Sequence, residues 1–251
     1  MEQKMHTPEG VRDIYNRECE TKLAIQKKLS TVLHLYGYQD IQTPTFEYDD
    51  VFRKEIGSTS TKELYRFFDR EGNILTLRPD ITPSVARAAA TLFETEDFPI
   101  RLCYAGNTFT NHTSYQGRLK ENTQLGAELI GLDSIEADAE MLAMVVDGLK
   151  RTGLKEFQVN IGHVDFIQSL LEATGLEDDE MDEIRTLINN RNYFGVEEIL
   201  DNRSVKESVK EAFHILPELM GGPEILESAA RIAPSAEARL AVTRLQQIYK
   251  L

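Results

Sequence analysis

The chain has 251 residues, 41% of them hydrophobic, enough for a sizeable core in one large domain or two smaller ones. Its 28 Lys and Arg stand against 42 Asp and Glu, a formal charge of -14 that opposes attraction to a polyanion, and no basic cluster interleaved with aromatics offsets it. Nucleic acid is therefore not the expected partner. Cys19 and Cys103 offer neither a disulfide framework nor a Cys-x-x-Cys knuckle, MEQKMHTPEGVRDIY lacks the apolar stretch of a signal peptide, and no run has the length of a membrane span. The expectation is a cytoplasmic chain that does not use a membrane.

Ile25, Leu29, Val32, Leu33 and Tyr36 recur at helical spacing, and Gly37 offers a stop. Tyr38, Ile41 and Thr43 then suit a strand that Pro44 ends or places at a sheet edge. YRFFD and ILTLR read as a hairpin around Arg70-Glu71-Gly72-Asn73. In TPSVARAAATLFE, Thr82 suits an N-cap and Pro83 the first helical position. IRLCYAGNTF and ENTQLGAELIG are the next expected strands, joined by the loop TNHTSYQGRLK. Ile135, Ala139, Leu142, Val146 and Leu149 restore a helical period that Gly153 ends, and Phe157, Val159 and Ile161 alternate as a further strand. From about residue 164 nearly all residues are helix formers with short breaks. Strands first and helices later, with hairpins rather than regular alternation, predict an α+β fold. Its antiparallel sheet is flanked by helices in a core over residues 1–163, followed by a helical subdomain over 164–251.

Gln124, Gly126 and Glu128 are spaced by two, so one strand face carries an amide, a bare backbone and a carboxylate. That face either receives a small ligand or is an ordinary solvated polar surface. Asp80 and Thr82 could together receive an ammonium, or serve as turn residue and helix cap, with Arg78 as a structural ion-pair partner. His6, His34, His112, His163 and His214 show no metal-ligand spacing, and no metal site is expected. No phosphate-binding Gly-rich loop or nucleophile elbow occurs, which sets aside kinase and hydrolase readings and leaves no cofactor to expect.

In order, TPEGVRDIY, YGYQDIQTPTFEYDDVF, LTLRPDITPSVAR and RLCYAGNTFTNHTSYQGRLKENTQLGAELIG resemble the catalytic core of histidyl-tRNA synthetases, a class II aminoacyl-tRNA synthetase-like fold. LRPDITP, in place of the synthetase-like LRPEGTA, and LPELMGGPEIL at 216–226 resemble their non-catalytic paralogues, the regulatory subunits of ATP phosphoribosyltransferase. The resemblance implies that Asp80, Thr82, Gln124 and Glu128, around Gly126, occupy histidine-binding positions. It further implies a homodimer, a short-form ATP phosphoribosyltransferase catalytic subunit as partner, and histidine as effector of the first step of histidine biosynthesis. Against the synthetase pattern, Thr110 stands where an arginine would hold the α-phosphate of ATP, and His112 replaces an acidic residue. Arg118 and Lys120 remain for an anion. No segment resembling the Gly-rich third motif occurs among the 251 residues, so the expectation is an incomplete adenylation site. The competing readings are a histidyl-tRNA synthetase, or a fragment of one, that activates histidine, and a module that merely dimerises.

Overall fold

The computed structural model describes residues 6–53, 61–94, 98–112 and 117–251. The chain divides into two compact units, Met1–Asp133 with Met141–Phe157 and Ser134–Glu140 with Gln158–Leu251. In chain order the first elements are α1 (Asn16–Leu35), β1 (Gln39–Asp40), β2 (Phe46–Tyr48), α2 (Asp50–Arg53), β3 (Arg66–Phe68), β4 (Ile74–Leu77), α3 (Thr82–Leu92), β5 (Ile100–Phe109), β6 (Glu121–Ile130) and α4 (Ile135–Thr152).

α1 ends as its glycine predicts. Gly37 takes φ +85°, and the Tyr38 amide turns back to the Leu33 carbonyl at 3.1 Å. Of the expected stripe only Val32 and Leu33 are buried, while Ile25 stays 40% exposed. The strand expected over 38–43 shrinks to the two residues of β1. Beyond it the carbonyls of Thr43 and Pro44 accept from the Arg78 guanidinium at 2.9 and 3.3 Å in place of a ladder. β1 pairs with β5 in parallel, whereas β5 and β6 pair antiparallel over ten residues each, from Ile100↔Ile130 to Phe109↔Glu121. The sheet β1-β5-β6 is thus mixed, with its long β5–β6 pair antiparallel as expected and the short β1 added in parallel.

The hairpin forms as expected: Asp69 Oδ1 accepts from the amides of Glu71 and Asn73, and Gly72 supplies φ +88°. With β2 it makes a second sheet, order β2-β4-β3.

Alternation along β5 sorts the core of this unit into two layers. Cys103 packs with Val32, Leu33, Tyr38 and Met144 of the α1 and α4 side, joined by Leu125, Ala127 and Leu129 of β6. Ile100, Leu102 and Tyr104 face the other way and pack with Ile81 and Val85 at the start of α3. Gln124, Gly126 and Glu128, one residue out of phase with Leu125 and Ala127, therefore share the α3 side. Gly153, at φ +103°, ends α4. Residues 157–161 do not form the expected strand; among the described residues they have no ladder partner, and Val159 and Ile161 remain exposed.

The second unit is helical, with α5 (Val164–Thr174), α6 (Asp178–Asn189), α7 (Tyr193–Asp201), α8 (Glu207–Ile215), α9 (Ile225–Ile232) and α10 (Ala236–Lys250). Phe166, Leu170, Leu171, Ile184, Val196, Leu200, Phe213 and Val242 build its core. Local chemistry sets its boundaries: Gly175 closes α5 at φ +69°, and the side chains of Asn192 and Ser235 accept from the amides of Gly195 and Ala238, each at 3.1 Å. Among the described residues no helix is long and apolar enough to cross a membrane.

Candidate functional site

The polar residues singled out in the sequence come together where β6 passes the first turn of α3. Gln124 works as a clasp. Its Nε2 donates to Asp80 Oδ1 at 2.8 Å, and its Oε1 accepts from the Ile81 amide at 3.0 Å. Thr82 links the two carboxylates: its amide donates to Asp80 Oδ1 at 3.2 Å, and its hydroxyl donates to Glu128 Oε1 at 2.8 Å. Tyr104, which the sequence analysis did not single out, donates a second hydrogen bond to Glu128 Oε1 at 3.0 Å and lies 3.1 Å from the Thr82 hydroxyl. The sequence marks it only as a strand aromatic; its role follows from the register that sets Tyr104 opposite Gly126.

Three assignments change. Thr82 does not cap α3, because Thr82 is itself helical and its hydroxyl is committed to Glu128; the capping acceptor for its amide is Asp80. The bare backbone of Gly126 is occupied by the Tyr104 ring, since a Cβ there would lie 2.5 Å from Tyr104 Oη. Arg78 is a backbone clamp rather than an ion-pair partner. Its Nε donates to the Asn107 carbonyl at 2.8 Å and its Nη1 to Thr43 and Pro44, and Gly106 leaves room for Nη2, which would be 2.3 Å from a Cβ.

The electrostatics follow from this count. Among the described residues neither Asp80 nor Glu128 meets a cation; each accepts two bonds from neutral donors on a single oxygen, leaving Oδ2 and Oε2 without a protein donor. Burial, with Glu128 and Asp80 nearby, pushes the Tyr104 phenol well up, so it stays a neutral donor. Two half-buried carboxylates joined through Thr82, with no cation beside them among the described residues, are suited to a cationic group.

The positions expected at the nucleotide side look different. The Thr110 amide bonds the Lys120 carbonyl at 2.9 Å and extends the β5–β6 ladder by one step, leaving a neutral side chain at the strand end. His112 has a buried Nε2 that meets no hydrogen-bond partner among the described residues. Arg118 is exposed and lines a cavity of about 180 Å³ with Glu9, Gly10, Val11, Gly117 and Leu119. The Lys120 side chain lies over Gly10, where Cγ would be 2.7 Å from a Cβ. Residues 113–116 of the loop lie outside the described residues.

The profile described as Histidyl-tRNA synthetase matches residues 10–251. The chain is 36% identical over 250 residues to the ATP phosphoribosyltransferase regulatory subunit of Acetivibrio thermocellus, covering 100% of this chain and 60% of that protein. It is 38% identical over 242 residues to the protein of that name from Geobacter metallireducens, covering 96% of this chain and 56% of that one. A crystal structure described as an ATP phosphoribosyltransferase regulatory subunit/histidyl-tRNA synthetase from Bacillus halodurans superposes with a TM-score of 0.90 at 31% identity, over 100% of this chain and 65% of that one. The chain therefore spans about 60% of the length of the curated relatives it matches.

Proposed function

The chain belongs to the histidyl-tRNA synthetase family, and on that premise we propose that it acts as a non-catalytic regulatory subunit of ATP phosphoribosyltransferase. In this reading it supports the first step of histidine biosynthesis and its feedback control by histidine, as a homodimer assembled with a short-form catalytic subunit. One observation carries the reading: the carboxylate half of the site is assembled, while the strand-end position that should carry a cation holds Thr110.

Histidine is a zwitterion with an ammonium and a second cationic or hydrogen-bonding group. The free oxygens of Asp80 and Glu128 are complementary to such a pair, with Gln124 and Thr82 fixing where those oxygens point. Activation of the amino acid makes a further demand. Negative charge grows on the α-phosphate as the carboxylate attacks, and a planar guanidinium offers the bidentate donors that stabilise it. Threonine cannot. Losing a donor of that kind costs roughly a hundred- to a thousand-fold in rate. Arg78 is no substitute, because its Nε and Nη1 are held by backbone carbonyls.

The test is co-purification with a short-form ATP phosphoribosyltransferase catalytic subunit, followed by its activity with and without histidine, beside histidine-dependent exchange of pyrophosphate into ATP. Assembly, histidine-sensitive transferase activity and no exchange are expected. Thr110→Arg should not restore exchange, since His112 remains in the acidic position. Exchange at a rate typical of synthetases would overturn the proposal in favour of a histidyl-tRNA synthetase. Neither assembly nor histidine binding would leave only a dimerising module.

A further inference from the structure

On the opposite side of β5 from Tyr104, where Cys103 packs against Val32 and Leu33, a second cluster of side chains gathers away from Asp80 and Glu128. His34 lies in the last turn of α1, Asp40 in β1 and Cys103 in β5. We propose that His34, Asp40 and Cys103 form a binding site for a zinc-class divalent cation, with a further coordination position open to solvent.

The geometry is set by backbone structure rather than by chance side-chain excursions. Asp40 and Cys103 are register partners in the parallel β1–β5 pair, so their side chains leave the same face, and the Ile41 amide locks that register on the Cys103 carbonyl at 2.9 Å. His34 is placed beside them by the tight turn through Gly37 that carries α1 into β1. His34 Nε2 lies 3.0 Å from Asp40 Oδ2, Cys103 Sγ lies 3.5 Å from Asp40 Oδ1, and the three ligand atoms all fall within 4.8 Å of one another. Bonds of about 2.0 Å to nitrogen and oxygen and about 2.3 Å to sulfur give tetrahedral edges of roughly 3.3–3.5 Å. The two contacts to Asp40, at 3.0 and 3.5 Å, lie close to those edges.

The donor set chooses the metal. Imidazole, carboxylate and thiolate together suit zinc, whereas magnesium and calcium prefer oxygen alone. Access and charge agree with this. The side chains of His34 and Asp40 are 47% and 70% exposed, so an ion can enter from solvent, while Cys103, 1% exposed, closes the inner side. The carbonyl end of α1 adds a negative field at that point. Without an ion, His34 pairs with Asp40 and the Cys103 thiol donates to the same carboxylate, so a bound cation would replace both contacts with bonds to one centre. A bound ion would tie the end of α1 to two strands and stiffen β5, whose next residue, Tyr104, holds Glu128.

Cobalt(II) is the probe. Titrated into the metal-free protein, it should give thiolate-to-cobalt charge-transfer absorption and the visible bands of a tetrahedral ion, saturating at one equivalent and removed by zinc(II). Cys103→Ser should abolish the charge-transfer band. Because Cys103 is buried and that variant can lose structure, the exposed ligands provide the second measurement. His34→Gln and Asp40→Asn should keep the fold by circular dichroism and weaken cobalt binding by at least the about 10- to 100-fold that losing an outer-sphere partner costs. Cys19→Ser should change nothing. The proposal is overturned if the unmodified protein gives no charge-transfer band, if the band depends on Cys19 instead of Cys103, or if His34→Gln and Asp40→Asn bind cobalt as tightly as the parent.

Discussion

Tyr104 and Gly126 face each other across β5 and β6, and a Cβ on Gly126 would fall 2.5 Å from Tyr104 Oη and 2.6 Å from Cζ. The glycine is what lets the phenol lie flat over β6 and reach Glu128. Gly126→Ala should push the ring off its bond and cost about 1–3 kcal/mol, the usual range for overpacking a filled site. Tyr104→Ala removes the obstacle, so the alanine at 126 should cost clearly less in that background. Denaturant unfolding of the four proteins of this cycle measures it; equal costs in both backgrounds would show that the two residues do not interact.

Asp49 is 3% exposed and accepts from Thr76 Oγ1 at 2.6 Å and from the Nε atoms of Arg66 and Arg53, each at 2.7 Å. Burial by itself would raise this carboxyl, but the bonds to Thr76, Arg66 and Arg53 together outweigh it and hold the group below its ordinary value. A depressed folded-state pKa stabilises the fold above the unfolded value of about 3.9 and stops doing so as pH falls through the folded value. Asp49→Asn should cost about 2 kcal/mol at neutral pH, less than a fully buried pair because both arginines are part-exposed. The gap to the parent should close in acid. A gap that stays constant from neutral pH to well below the carboxylate range would rule out Asp49 as the acid-sensitive group.

Histidine binding to the assembled complex should depend on the clasp. Hydrogen bonds to charged groups contribute about 1.5–3 kcal/mol each, so Glu128→Ala and Gln124→Ala should each weaken histidine binding roughly ten- to hundred-fold in calorimetry. Unchanged affinity in both variants would mean that histidine acts elsewhere in the complex.

The sheet β2-β4-β3 is two-sided. Glu47, Thr76 and Arg66 share one face, where Glu47 meets Arg87 and Arg66 meets Asp49. Phe46, Tyr48 and Phe67 share the other with Leu75 and Leu77, and remain 50%, 60% and 38% exposed. Phe46 and Phe67 stack edge to face, with centroids 5.7 Å apart. If the protein is a homodimer built around the segment from Gln39 to Phe46, this apolar face is where a partner gains most from burial. Phe67→Asp should then shift the light-scattering mass toward the monomer without changing the circular dichroism. A monomeric parent at micromolar concentration would remove the case for that dimer.

Much of this architecture was readable locally. Gly37, Gly72 and Gly153 occur where the backbone needs a positive φ, and the helices and hairpin they punctuate lie where the sequence pattern places them. The same period-two argument put Gln124, Gly126 and Glu128 on one face, and all three lie on the side of β6 that meets α3. What local pattern could not decide is which chain segment lies beside which. The strand expected over 38–43 pairs only at Gln39 and Asp40, the Thr43 and Pro44 carbonyls meeting instead Arg78, a residue far along the chain, and the apparent strand at 157–161 found no ladder among the described residues. Thr82 carries the composition of a helix cap, yet its hydroxyl is taken by Glu128 on a strand brought alongside by folding. Tyr104, the donor that completes that carboxylate, is an ordinary strand aromatic until its register with Gly126 is known. Metal-ligand spacing was absent from the sequence because His34, Asp40 and Cys103 are gathered by a helix end and a parallel strand pair, and pairing register is a property of the packed sheet rather than of any one segment.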